Sequence, residues 1–146
     1  MNELCHAEVF AFHRFLTKWY AGREQPDKLL FTEFTDVLDP DFVLVTPFGR
    51  IVRREELIDR VWKSYGAHAR ASRPFKVWVE RFEGRSLSDR LHLALYEEWQ
   101  WVDARTRVRQ TTAIFRESEQ ARNGVEWMHV HETWLVPAKD RDQPPA

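Results

Sequence analysis

The hydrophobic period changes along this chain, and that change constrains the fold more than any other feature. Up to Tyr65 most apolar residues recur at three- and four-residue spacing, which is typical of amphipathic helices. From Phe75 onward the pattern is that of successive strands separated by turn residues. Helices gathered at the start and strands at the end predict an α+β domain, with the helices on one face of a single sheet.

The pattern assigns most of the chain to helices and strands. Residues 4–137 are expected to form one domain, and the charged, Pro-rich residues 138–146 a flexible tail. Turns are placed at 83–85 and 103–105. The predicted helices cover residues 4–21, 26–38 and 53–65; a hairpin joins strands 42–46 and 51–52, and a four-stranded antiparallel meander follows at 75–83, 91–102, 107–116 and 125–136.

The composition excludes several classes of function. A net charge of −1 gives no electrostatic reason to expect a nucleic acid or an anionic membrane as partner. No apolar run is long enough to span a bilayer, and the first residues do not form a signal peptide. The single cysteine, Cys5, predicts neither an internal disulfide nor a zinc site. A cytoplasmic protein is therefore expected.

The aromatic content and the strand pattern predict an extensive apolar surface. Seven Trp and ten Phe among 146 residues are typical of a large core, an aromatic-lined cavity or a dimer interface. The segment 91–102 is apolar on both faces: Leu95 and Trp99 share one, Ala94 and Tyr96 the other. A sheet with one solvated face would alternate between apolar and polar residues, so we expect its second face to contact another subunit in a homodimer.

Several local motifs stand out along the chain: Trp19-Tyr20-Ala21-Gly22, residues 38–49 (LDPDFVLVTPFG), Arg54-Glu55-Glu56-Leu57-Ile58, Tyr96-Glu97-Glu98-Trp99-Gln100 and residues 127–134 (WMHVHETW). With the order of the elements, they resemble the nuclear transport factor 2-like superfamily, which includes ketosteroid isomerases and SnoaL-like polyketide cyclases. The resemblance extends from Leu4 to Pro137. It implies a cone-shaped curved antiparallel sheet, made of the hairpin and the meander, packed against three N-terminal helices.

The same resemblance argues against ketosteroid isomerase chemistry. That family places a catalytic Asp directly before the Pro of an Asp-Pro-x-Gly turn, and this chain has Thr46 at that position. The family's oxyanion-hole Tyr corresponds to Phe15, which has no hydroxyl group. The chain is therefore not expected to isomerise ketosteroids by that mechanism.

Polar residues within apolar strands are the candidates for a functional site. His129 and His131 project from one face of the last strand, and Glu97 lies between Leu95 and Trp99 on its own face. A carboxylate in such surroundings is costly to bury unless it is paired, and titratable groups of this kind concentrate at functional sites. Glu97, His129 and His131 are the predicted acid–base residues; His13, Trp19, Tyr96, Trp99 and Thr111 are the predicted ligand-binding residues.

Three functions remain open at this stage. The chain is interpreted first as a pocket protein for a small, largely apolar or aromatic molecule. The second reading is a cofactor-free isomerase, cyclase or lyase that uses buried His or Glu, and the third a dimeric accessory subunit. No cofactor is expected. Two histidines at i and i+2 without a recognisable third ligand do not predict a metal site.

Overall fold

The computed structural model describes residues 3–22, 26–69, 75–102 and 105–135. Within these ranges there are three helices and six strands, as the hydrophobic period predicts. Two helices come before the first strand, and the third follows the second strand. The elements are α1 (Glu3–Ala21), α2 (Lys28–Thr35), β1 (Leu38–Val45), β2 (Ile51–Arg53), α3 (Arg54–Lys63), β3 (Lys76–Ser86), β4 (Leu91–Val102), β5 (Arg105–Glu117) and β6 (Val125–Trp134).

The strands form one curved, unclosed sheet in the order β2-β1-β6-β5-β4-β3. Strands β3 to β6 are the predicted antiparallel meander, and β1 and β2 are the predicted hairpin. The hairpin joins the meander through a parallel pairing of β1 with β6. The α+β fold class is confirmed, and this one parallel pairing makes the sheet mixed rather than wholly antiparallel.

Local sequence signals set the helix boundaries. The Asp27 side chain caps α2 by accepting a hydrogen bond from the backbone N–H of Leu29 at 2.9 Å. Helix α1 is followed by Gly22 at φ +67, a conformation that favours glycine at helix ends. A Cβ at Gly22 would lie 3.1 Å from the Cα of Gly66, so the close contact of these two segments also requires glycine.

The second helix is shorter than predicted. It ends at Thr35 rather than at residue 38, because Leu38 pairs with Trp127 as the first residue of β1. Pro40 lies in the interval between Leu38 and Val43 where the register with β6 shifts. A proline has no N–H to donate to a ladder, so it is tolerated at such an irregularity.

The predicted turn at residues 83–85 is wrong. Strand β3 continues through it, because Gly84 remains paired with Ala94. The hairpin turn follows Ser86, where the N–H of Leu87 donates to the carbonyl of Leu91 at 2.7 Å. Some predicted features lie outside the described residues. They are the turn residues 103 and 104, the strand end at Val136, the domain boundary at Pro137 and the tail 138–146.

The helices cover one face of the sheet, here called the inner face and defined by Tyr96, Glu98 and Glu132. Helix α1 contacts β3, β4 and β6, and buried Trp19 links it to α3 by donating from Nε1 to the carbonyl of Val61 at 2.7 Å. The opposite, outer face carries Glu97 and the alternate residues of each strand. A cavity remains between the helices and the inner face.

Candidate ligand pocket

The cavity has a volume of about 140 Å³ and lies between α1, α2, α3 and the inner face. Its walls are mainly aromatic and aliphatic, and its polar groups lie on β4, β5, β6 and one side of α1. The apolar lining residues are Phe12, Leu16, Phe34, Phe42, Leu44, Leu57, Val61, Phe75, Val77, Trp127 and Val130; the polar ones and the tyrosines are His13, Tyr20, Tyr96, Glu98, Gln100, Arg109 and Glu132.

Strand alternation and register explain why these polar residues meet. Tyr96, Glu98 and Gln100 are two residues apart on β4, so all three point to the inner face. Arg109 on β5 is paired directly with Glu98. Glu132 on β6 is paired with Thr111, two positions further along β5, and therefore lies diagonally across from Arg109.

His13 and Glu98 form a buried ion pair. The Nε2 atom of His13 lies 2.9 Å from Oε1 of Glu98, and its Nδ1 atom lies 2.7 Å from the carbonyl oxygen of Val9. A carbonyl oxygen can only accept, so Nδ1 carries a hydrogen. Its Nε2 faces a carboxylate oxygen, so both ring nitrogens are directed at oxygen atoms.

Arg109 bridges the two buried carboxylates of the pocket. Its Nε lies 3.5 Å from Oε2 of Glu98, and its Nη1 donates to Oε1 of Glu132 at 3.0 Å. Gln100 donates from Nε2 to Oε2 of Glu98 at 2.9 Å. Both oxygens of Glu98 are therefore occupied, whereas Glu132 accepts one hydrogen bond among the described residues, that from Arg109.

The two carboxylates have very different proton affinities. Burial would raise the pKa of Glu98, but the hydrogen bond from His13 and the charge of Arg109 outweigh it and hold this pKa at about 2. Burial and the charge of Glu98 raise the pKa of Glu132 to about 7, against the opposing charge and hydrogen bond of Arg109. At neutral pH Glu98 is ionised, and both the protonated and the ionised form of Glu132 are populated.

The phenol groups in the cavity remain protonated. Burial, followed by the charge of Glu98, raises the pKa of Tyr20 to about 12. The same two causes, in the same order, raise the pKa of Tyr96 well above its ordinary value. Both hydroxyl groups are therefore neutral at physiological pH and keep their ability to donate.

Two further polar atoms on the inner face have unused capacity. Oγ1 of Thr111 and Nε of Arg109 are buried and have no hydrogen-bond partner among the described residues. Thr111 lies between Tyr96 and Glu132 in the sheet register. A buried polar atom without a partner is costly, so this end of the pocket is built at some expense in stability.

The predicted site residues are distributed over both faces of the sheet. Of the predicted ligand-binding residues, His13 and Tyr96 line the cavity. Thr111 lies on the inner face beside it, Trp19 lies in the core, and Trp99 lies on the outer face.

The predicted acid–base residues do not reach the cavity. Glu97 is buried on the outer face, where it accepts hydrogen bonds from Nη1 of Arg81 at 3.2 Å and from Nε1 of Trp99 at 2.9 Å. His129 and His131 are also on the outer face and are paired with Ile114 and Thr112. The structure therefore separates these three residues from His13 and Tyr96.

Glu98, Gln100, Arg109 and Glu132 complete the polar end of the pocket and were not predicted. The signal that points to them is the alternation of Tyr96, Glu98 and Gln100, which places a carboxylate on the same face as a predicted ligand-binding residue.

Within the described ranges, no group of three or more His, Cys, Asp or Glu side chains is arranged to hold a metal ion. No helix in the described part of the chain is long and apolar enough to cross a membrane.

The helices, the curved mixed sheet and the cavity between them define the nuclear transport factor 2-like fold, as the sequence motifs suggested. An NTF2-like protein of unknown function from Pseudomonas aeruginosa superposes with a TM-score of 0.77 and 19% identity, over 90% of this chain and 98% of that one. A CamKII hub homology domain from Chlamydomonas reinhardtii has a TM-score of 0.64 and 18% identity, over 90% of this chain and 98% of that one.

The chain belongs to the family described as Sucrose-6-phosphate phosphohydrolase C-terminal, whose pattern matches residues 5–136. A similar curated protein is the probable sucrose-phosphatase 3a of Arabidopsis thaliana, which is 26% identical over 137 residues. That match covers 93% of this chain but 31% of the relative, so the chain spans about a third of the length of the relative it matches.

Proposed function

We propose that this chain is a small-molecule-binding domain whose ligand occupies the cavity with its apolar body against the aromatic walls. The observation that carries the proposal is a largely apolar cavity, partly open to solvent, with its charged groups at one end, which is the usual form of a ligand site. The phosphatase activity named for the plant relative is not assigned to this chain. A cavity of about 140 Å³ accommodates about one small ring.

Filling the cavity should abolish binding. Leu57 lines the pocket from α3, whereas its neighbour Ile58 is equally half-buried but does not line it. We expect Leu57→Phe to lose a small molecule retained during purification, and Ile58→Phe to keep it, as measured by native mass spectrometry. Titration with benzyl alcohol, followed by NMR shifts of Tyr96 and Val130, applies the same comparison to protein purified empty. Equal binding by both variants would place the ligand elsewhere.

A second candidate function is acid–base catalysis, and Glu132 favours it. A carboxyl group with a pKa of about 7 on the wall of a cavity is suited to moving a proton at neutral pH. In proton abstraction beside a carbonyl group, Glu132 would take the proton and a Tyr20 or Tyr96 hydroxyl would donate to the enolate oxygen that forms. We expect deuterium from D2O to enter a small ketone such as cyclohexanone faster with the wild-type protein than with Glu132→Gln; equal rates would exclude this role for Glu132.

We also propose that the chain forms a homodimer through the outer face. Leu93 and Leu95 on β4 lie beside Ile114 and Thr112 on β5, and these side chains are half-buried in the single chain. The continuation of this surface onto β6 carries His129 and His131 rather than charged side chains. A second copy of the same surface would cover this apolar region by twofold symmetry.

An acidic residue on this surface should separate the two copies. We expect Ile114→Glu to change a dimer into a monomer in multi-angle light scattering at micromolar concentration, because a buried unpaired carboxylate opposes association. Leu29→Glu, at an apolar position on α2 that is 76% exposed, should leave the mass unchanged. A monomeric wild-type protein would contradict the proposal.

A further inference from the structure

The ionisable groups at the polar end of the pocket are paired within the protein itself. Two basic residues, His13 and Arg109, face two acidic ones, Glu98 and Glu132. Each basic group lies within 3.5 Å of a carboxyl oxygen. A charged ligand would add a net charge to a buried site, and an unbalanced buried charge is costly.

Of the two carboxyl groups at this end, Glu132 is the one with accepting capacity left among the described residues. Glu98 is occupied by His13, Gln100 and Arg109, while Glu132 accepts a single bond among the described residues. An ammonium group brings three donors to this one acceptor, and two would remain unpaired. A carboxylate ligand brings only acceptors, and its charge would lie beside the charges of Glu98 and the ionised Glu132.

A hydroxyl group fits this arrangement better than either ion. It has one hydrogen to donate, which matches the one free acceptor, and its oxygen can accept from a phenol. Tyr20 and Tyr96 line the same cavity and keep their protons. The remaining walls are apolar, with Phe12, Phe42 and Trp127 among the rings that could pack against the body of a ligand.

We infer that the ligand is an uncharged molecule of about one ring that carries a hydroxyl group, and that this hydroxyl donates to Glu132. The inference rests on the proposed binding function and specifies the chemical class of its ligand. The hydroxyl–carboxylate bond is charge-assisted and is therefore stronger than a bond to the protonated acid. Burial and the charge of Glu98 raise the pKa of Glu132 to about 7. The other titratable groups at this end of the cavity are His13, Arg109, Tyr20 and Tyr96. Because Glu132 loses its proton between pH 6 and pH 8, the affinity for the hydroxyl group should rise over this range.

Four probes of nearly equal size test this class directly by calorimetry or NMR titration: ethylbenzene, benzyl alcohol, benzylamine and benzoate. We expect benzyl alcohol to bind about tenfold more tightly than ethylbenzene at pH 8, as a net hydrogen bond to a charged group provides. Benzylamine and benzoate should bind more weakly than the alcohol. The affinity for the alcohol should increase about threefold or more from pH 6 to pH 8.

The variants separate this inference from the proposed function. Glu132→Gln should remove the pH dependence, because an amide does not titrate, and Glu97→Gln, the same change on the outer face, should leave it intact. Binding of none of the four probes would overturn the pocket proposal itself. Two other results would overturn the proposed hydroxyl-bearing ligand while the pocket proposal stands. One is ethylbenzene binding as tightly as benzyl alcohol; the other is benzylamine or benzoate binding more tightly than benzyl alcohol at pH 8.

Discussion

Replacement of Glu8 by alanine is expected to lower the free energy of unfolding by about 3 to 5 kcal/mol, the usual cost of breaking a buried charge pair. Glu8 is fully buried on α1. Its carboxylate accepts from Nε and Nη2 of Arg122 at 3.3 Å each, from Nδ2 of Asn123 at 3.2 Å and from Nε1 of Trp127 at 3.1 Å. Alanine would leave these donors without an acceptor and a cavity beside Trp127.

Glu33 provides a matched control for this prediction. Its Oε2 also lies near Arg122, 3.7 Å from Nη1, but half of its side chain is exposed. Exposed pairs of this kind contribute about 1 kcal/mol or less, so Glu33→Ala should change stability little. Urea denaturation of both variants measures the difference. Equal losses would show that the charge of Arg122, and not the burial of Glu8, determines the stability.

The period of the hydrophobic pattern was sufficient to predict the fold because it reports directly on local structure. The segment 91–102 was predicted with the bounds that β4 has, since its strand pattern ends at turn residues on both sides. The same reasoning failed at Gly84, where a turn residue remains within a strand because the pairing with Ala94 holds it there. The parallel pairing of β1 with β6 joins distant parts of the chain and leaves no local pattern.

The candidate site was harder to predict because strand alternation defines two faces but not which of them is covered. Glu97 and Glu98 are adjacent, and either could have faced the helices on the evidence of their neighbours. The choice depends on α1, since His13 projects onto the face that carries Glu98 and bonds to it across 85 residues of sequence. The position of Arg109 beside Glu98 was not predicted, because it depends on a register that single-strand patterns do not give.

The pair of carboxylates in the pocket makes stability depend on pH in two opposite ways. The pKa of Glu98 is about 2 in the folded protein, against an ordinary value of 4.5, so its contribution to stability is present above pH 4.5 and is lost as the pH falls towards 2. The pKa of Glu132 is about 7, so the folded protein retains a proton that the unfolded chain has lost above pH 4.5. Stability therefore falls as the pH rises from about 4.5 to 7 through the ionisation of Glu132.

Glu132→Gln should consequently stabilise the protein at alkaline pH, although it removes a buried charge partner of Arg109. Glutamine resembles the protonated acid in shape and charge, so we expect little change at pH 4.5 and a gain of roughly 1 to 3 kcal/mol at pH 8. Urea denaturation at the two pH values measures this gain.

Glu97→Gln is the control: it removes a carboxylate that accepts two hydrogen bonds on the outer face and should lose stability instead. A loss at pH 8 in Glu132→Gln would show that its bond to Arg109 outweighs the cost of burial. A gain would mean that the fold retains an ionisable group in its cavity at the expense of stability, which is typical of residues kept for binding or catalysis.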